Sequence, residues 1–149
     1  MPLYSFPPIV DHSSHTLILG SMPGVLSLQR QQYYAHPRNA FWPILGALLD
    51  FDGQAPYAQR VAALQRAGIA LWDVLHSCQR EGSLDTAIVA DSMIANNFVA
   101  FFAEYPRIRR VFFNGGKAES VFVRSVRPAL HGPTPLTFQR LPSTSPAHA

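Results

Sequence analysis

Three short apolar runs in this chain are bounded on one side by turn residues, and stretches with helical character separate them. Thr16-Leu17-Ile18-Leu19-Gly20 leads straight into Ser21-Met22-Pro23-Gly24, and Val111-Phe112-Phe113 is closed by Asn114-Gly115-Gly116. Ile69-Ala70-Leu71-Trp72 follows a glycine. Apolar runs without polar alternation suit strands buried on both faces. Leu136 to Leu141 reads as a fourth strand. Between them, Ala40 to Leu49 is rich in helix formers, with Pro43 in a first turn where proline is tolerated. A helix is expected from Pro56 or Tyr57 to Ala67, stopped by Gly68. Phe98, Phe101, Phe102 and Tyr105 share one helical face that ends at Pro106, and Ala118, Val121, Phe122 and Ser125 repeat the spacing. The polar stretch His76 to Thr86 reads as a loop.

Strands alternating with helices require crossovers, and hence a parallel sheet covered on both faces. The expected fold is α/β: one domain over 1–149, a three-layer α/β/α sandwich around a central, mostly parallel four-stranded sheet. Such sheets bind ligands at the carboxyl ends of their strands. There the unusual residues gather: the turns after Gly20 and Phe113, and the segment after Leu141.

Composition narrows the function classes. With 48% apolar and 14% charged residues, the chain can bury a core and is neither disordered nor a coiled coil. No apolar run is long enough to span a bilayer, and Met1-Pro2-Leu3-Tyr4 lacks the basic start of a secretory signal. The expected address is cytoplasmic, with no membrane partner. The lone Cys78 excludes a disulfide framework and an all-cysteine metal site within one chain. The six histidines offer neither HxH nor HExxH, so no metal is expected. Charge is uneven: residues 1–100 carry five arginines against seven carboxylates, whereas residues 101–149 carry six arginines and one lysine against two. A basic C-terminal third suits a polyanion such as nucleic acid.

The segment after the first strand carries the chemistry. The Gly/Pro turn lets backbone approach a ligand closely. Tyr33-Tyr34 offers rings for stacking, and His36-Pro37-Arg38-Asn39 adds hydrogen-bonding and cationic groups. A flat surface beside such groups is what a site reading a nucleobase requires. The turn is neither the GxGxxG fingerprint nor a Walker A loop.

Gly20-Ser21-Met22-Pro23-Gly24 through Phe41-Trp42 resembles the first motif of the uracil-DNA glycosylase superfamily, closest to its hypoxanthine-DNA glycosylase branch. Leu141-Pro142-Ser143-Thr144-Ser145-Pro146-Ala147 is similar to the second motif, and Val111 to Ala118 to the family's strand–Gly–helix unit. The resemblance implies a monofunctional enzyme of base-excision repair. It would hydrolyse the N-glycosidic bond of a deaminated base in DNA, hypoxanthine first and uracil second, without a cofactor. Met22 stands where the superfamily usually carries the Asn or Asp that positions water. In the hypoxanthine branch an asparagine of the following motif takes that role, here Asn39. By the same resemblance Tyr34 stacks on the flipped base, while Gly20, Ser21, Met22, Gly24 and Asn114 line its pocket. Ser143, Thr144 and Ser145 lie against the DNA backbone and fill the gap left by the flipped nucleotide. His36, Lys117, Arg140 and His148 are further candidates for DNA contact. The family continues into another helix after the second motif, whereas this sequence stops at Ala149; either the C-terminal end is truncated or the protein is short for its family. A monomer is expected.

Plainer readings stand beside these. Asn39 also suits the N-cap of the helix from Ala40, and both roles can hold. Asn114-Gly115-Gly116-Lys117 also fits an ordinary strand-to-helix turn. Phe41, Trp42 and the Phe98–Tyr105 face read as core, and Trp72 and Asp73 as supports of the sheet edge, with Asp73 in reach of the site. Cys78 has no helix start or neighbouring base to activate it. Met22 keeps open a non-catalytic binder of damaged or single-stranded DNA. A small-molecule nucleoside hydrolase is a third class, disfavoured by the basic C-terminal third.

Overall fold

The computed structural model describes residues 1–131 and 135–146. In chain order its strands and α-helices are β1 (Leu3–Tyr4), β2 (Thr16–Gly20), α1 (Val25–Arg30), α2 (Phe41–Leu49), α3 (Tyr57–Arg66), β3 (Ile69–Asp73), β4 (Leu75–Cys78), β5 (Ile94–Ala95), α4 (Phe98–Glu104), β6 (Arg110–Asn114), α5 (Gly116–Ser125) and β7 (Thr137–Leu141). The main sheet has the order β3-β2-β6-β7, and every pair in it is parallel.

The central strand β2 is buried along its whole length, which is why its sequence shows no polar alternation. Its side chains still divide between two cores, because successive residues of a strand point to opposite faces. Leu17 and Leu19 pack with Phe98 and Phe101 of α4 and with Val121 and Phe122 of α5. Ile18 packs with Phe41, Trp42 and Leu45 of α2 and with Leu64 of α3. Helices therefore cover both faces, and the three-layer α/β/α sandwich stands. The aromatic face of α4 is core, with Phe98 and Phe101 both buried.

The stretch from His76 to Thr86 is not a loop throughout. Its first residues belong to β4, which pairs antiparallel with β1 and β5 in a separate three-stranded sheet. Polar composition misleads here because Ser77 and Cys78 turn inward and only His76 is exposed. The six-residue helix α1 also lay below the length at which periodicity is readable.

From β2 the chain passes to β3 on one side, then back across β2 to β6 on the other. A crevice opens where strand order reverses, at the carboxyl ends of β2 and β6. Gly20 and Asn114 end those two strands. Arg107, Arg109 and Arg110 precede or begin β6, at the opposite end of the strands. Part of the basic charge of the C-terminal third thus lies away from the crevice.

Candidate active site

A cavity of about 880 Å³ occupies this crevice. The turn after β2 forms one wall. It is pinned to the β3–β4 junction: Val74 N donates to the Gly20 carbonyl at 2.8 Å, and Leu75 N to the Ser21 carbonyl at 3.2 Å. Ser21, Met22 and Gly24 line the cavity. Met22 also packs into the core beneath.

Asn39 lines the same cavity. Its Oδ1 accepts the Phe41 N–H at 2.9 Å, while the cap position of α2 is Ala40. Asn39 thus satisfies an orphan amide of the first helical turn from one residue earlier than the sequence suggests. That bond fixes the amide and leaves Oδ1 a second lone pair. The Ala40 N–H donates to the Thr144 carbonyl at 3.0 Å, tying the first motif to the second.

Tyr34 adopts a left-handed backbone conformation (φ 55°), uncommon for a residue with a side chain. Its ring stacks on Phe41, with centroids 4.1 Å apart and planes 18° from parallel. A Cβ placed on Gly20 would lie 3.1 Å from the Tyr34 hydroxyl and 2.5 Å from Asp73 Oδ1. Glycine is needed there so that the Asp73 carboxyl and the Tyr34 hydroxyl can close over the strand end. Burial, reinforced by the nearby Asp73, holds the Tyr34 hydroxyl neutral. The Asn114 amide approaches that hydroxyl and opposes the shift, but the contact does not reach full hydrogen-bond geometry.

Asp73, the last residue of β3, is the cavity-wall carboxyl that the sequence left at the margin. It is 3% exposed, lines the cavity, and its Oδ2 has no hydrogen-bond partner. Desolvation pushes its pKa up to about 7, the charge of Asp85 adds to this, and Arg80 opposes it. A buried ionisable oxygen without a partner is costly, so its survival in a cavity wall points to a ligand. The available signal was a carboxylate closing an otherwise apolar strand.

Asn114 uses its side chain as a clamp. Its Nδ2 donates to Thr144 Oγ1 at 2.9 Å and its Oδ1 accepts the Thr144 N–H at 2.9 Å. Gly115 (φ 97°) then lets the chain turn into α5 against the second motif; a Cβ there would lie 3.1 Å from that of Ser143. His36, Lys117, Ser143, Thr144 and Ser145 all line the cavity. Arg140 does not; it lies 3.7 Å from Glu119 in an ion pair. His148 falls outside the described residues. The sequence did not anticipate the wall built from Ser83, Leu84, Asp85 and Thr86. Burial raises the Cys78 thiol, which leaves it protonated and unreactive. Among the described residues no helix is long and apolar enough to cross a membrane.

A parallel α/β sheet with two motif loops clamped together over its carboxyl edge agrees with the glycosylase-family resemblance that those motifs carry. The family model of the uracil DNA glycosylase superfamily matches residues 7–149, and the chain belongs to that superfamily. It is 41% identical over 119 residues to a hypoxanthine DNA glycosylase of Methanosarcina barkeri, covering 79% of this chain and 74% of that protein. A hypoxanthine DNA glycosylase of Methanosarcina acetivorans is 37% identical over 114 residues, covering 76% of this chain and 71% of its own length. The fold also superposes on a solution NMR structure of a Methanosarcina acetivorans protein provisionally described as a uracil DNA glycosylase. The TM-score is 0.82 and the identity 32%, over 99% of this chain and 87% of that one.

Proposed function

We propose that this glycosylase removes hypoxanthine from DNA, and uracil as a second base, by hydrolysing the N-glycosidic bond. The observation that carries the reading is the unpartnered Asp73 oxygen in the cavity wall. Deamination converts a ring nitrogen from an acceptor into an N–H donor, in hypoxanthine and uracil alike. Above its raised pKa of about 7 the Asp73 carboxyl is ionised and only accepts hydrogen bonds. It therefore suits the deaminated ring and repels the lone pair that adenine or cytosine presents there.

The target base must leave the stack to reach this group. Lys117 and the exposed Arg38 stand at the cavity to meet phosphates. Asn39, held by the Phe41 amide, orients a water with its remaining lone pair and does not act as a full base. The water oxygen bonds to the sugar C1′ while the bonding pair leaves with the base. One water proton balances the charge of the released base. Positioned dipoles and an oriented nucleophile supply most of such a rate enhancement. The product is an abasic site in an unbroken strand. One chain supplies every group in this scheme, and a monomer is its working form.

The test is single-turnover release from a hypoxanthine duplex by wild type and Asn39→Ala. The variant is expected to lose about tenfold or more, at least ~1.4 kcal/mol of barrier, while still binding DNA. Equal rates in the two proteins overturn the role of Asn39, and an inactive wild type overturns the hydrolytic reading.

A further inference from the structure

The Ser83–Thr86 wall of the cavity is fastened to the turn after β2. Ser21 Oγ donates to Asp85 Oδ1 at 2.6 Å, and the Val25 N–H donates to Ser83 Oγ at 2.9 Å. A third fastening comes from Arg80. Its Nε donates to the Gly82 carbonyl at 2.7 Å and its Nη2 to the Pro23 carbonyl at 2.6 Å. The Pro23 carbonyl lies one residue before that of Gly24, which accepts the Leu28 N–H in the first turn of α1. Pro23 therefore takes its donor from outside the helix. An antiparallel bridge to Ile88 holds the Arg80 backbone in place.

Arg80 is an expensive choice for a mere strut. It is 8% exposed, and among the described residues it forms no ion pair. Its Nη1 is buried without a hydrogen-bond partner. Burying a cation on carbonyls alone carries a desolvation penalty that an apolar residue of similar volume would avoid. The surroundings supply a reason for the charge. Cys78, Asp85 and Asp73 all act on Arg80, and Arg80 opposes the upward push that burial and Asp85 exert on Asp73. The other titratable groups that face Asp73 are Tyr33 and Tyr34, both held neutral by burial. Arg80 is thus the cation among these groups, and it reaches the first motif as well.

We propose that Arg80 is a positioning residue for base release: it locks the Ser21–Gly24 turn through the Pro23 carbonyl, and its charge favours Asp73 as a hydrogen-bond acceptor. The assignment rests on Asp73 as the reader of the base. It is tested by single-turnover release of hypoxanthine from a duplex between about pH 5 and 9. Wild type, Arg80→Lys and the neutral variants Arg80→Gln and Arg80→Met are compared, with folding checked by circular dichroism. Wild-type release is expected to fall on the acid side as Asp73 takes up its proton, with a midpoint at about 7. Without the cation Asp73 holds that proton more tightly. The midpoint of the neutral variants therefore moves up by about one pH unit, which alone slows release about fivefold at pH 7. Above the midpoint they also lose about tenfold, because the turn is no longer held. Arg80→Lys keeps the midpoint but loses rate above it, since an ammonium does not reproduce the planar fork that spans two carbonyls.

A residue with only a structural role would lower the rate alike at every pH. An unmoved midpoint in the neutral variants, a midpoint that moves equally in Arg80→Lys, or a wild-type rate in Arg80→Lys overturns the assignment. So does a failure of both neutral variants to fold, which would make Arg80 a stability residue. Wild type that releases base with no acid-side fall overturns the reading of Asp73, and wild type that releases none overturns the hydrolytic reading; the assignment of Arg80 falls with either.

Discussion

Replacing Asp73 by asparagine keeps the shape of the side chain and removes its charge. The folded protein raises this carboxyl from 3.8 to about 7, chiefly by burial. That is roughly three pKa units, each worth about 1.4 kcal/mol, so the ionised group destabilises the fold by on the order of 4 kcal/mol. The folded pKa lies above the unfolded one, so between about pH 4 and 7 the folded state binds the extra proton. Wild-type stability therefore falls through that window as pH rises, and the full loss is present above it. Asp73→Asn lacks this slope. Urea unfolding of both proteins at pH 5 and pH 8 reads it directly, because other carboxylates cancel in the difference. The variant's advantage is expected to widen by about 2–4 kcal/mol between the two pH values. Parallel stability curves, or a variant that loses ground at pH 8, refute the placement of an unpartnered carboxyl in this wall. In the same variant, discrimination between hypoxanthine and adenine should narrow, since an amide can present either a donor or an acceptor.

Gly20→Ala places a carbon 2.5 Å from Asp73 Oδ1, so the carboxyl must swing away. Base release should drop by about a hundredfold, at a cost in stability of only about 1–3 kcal/mol by urea unfolding. Lys117→Ala should weaken DNA binding at low salt and reduce the slope of log affinity against log salt by about one, as one lost phosphate contact requires.

The main sheet was legible because β2, β3 and the middle of β6 are apolar runs bounded by turn residues, and because the apolar residues of α4 and of α5 each recur at helical spacing. The small sheet was not. β1 and β5 are two residues each, and β4 places Ser77 and Cys78 inward, so neither apolar content nor alternation announces them. At the site, the motifs around Gly20, Asn39 and Asn114 were visible as clusters of turn and amide residues at the end of β2, before α2 and at the end of β6. Asp73 showed only as a carboxylate at a strand end; what marks it is the missing partner, a property of three-dimensional packing. The Ser83–Thr86 wall was hidden for another reason: its placement depends on Arg80 reaching a carbonyl of the first motif, a contact between residues far apart in the chain. The basic run before β6 shows the converse, residues of fitting charge that the fold places at the opposite end of the strands.

The most direct measurement of the central claim is product analysis of wild type on a duplex holding one hypoxanthine, with free base and strand length followed together. The account expects free hypoxanthine to appear in step with alkali-labile sites, and the strand to stay intact until alkali is added. Folded protein that releases no base, or that cuts the strand before alkali, contradicts it.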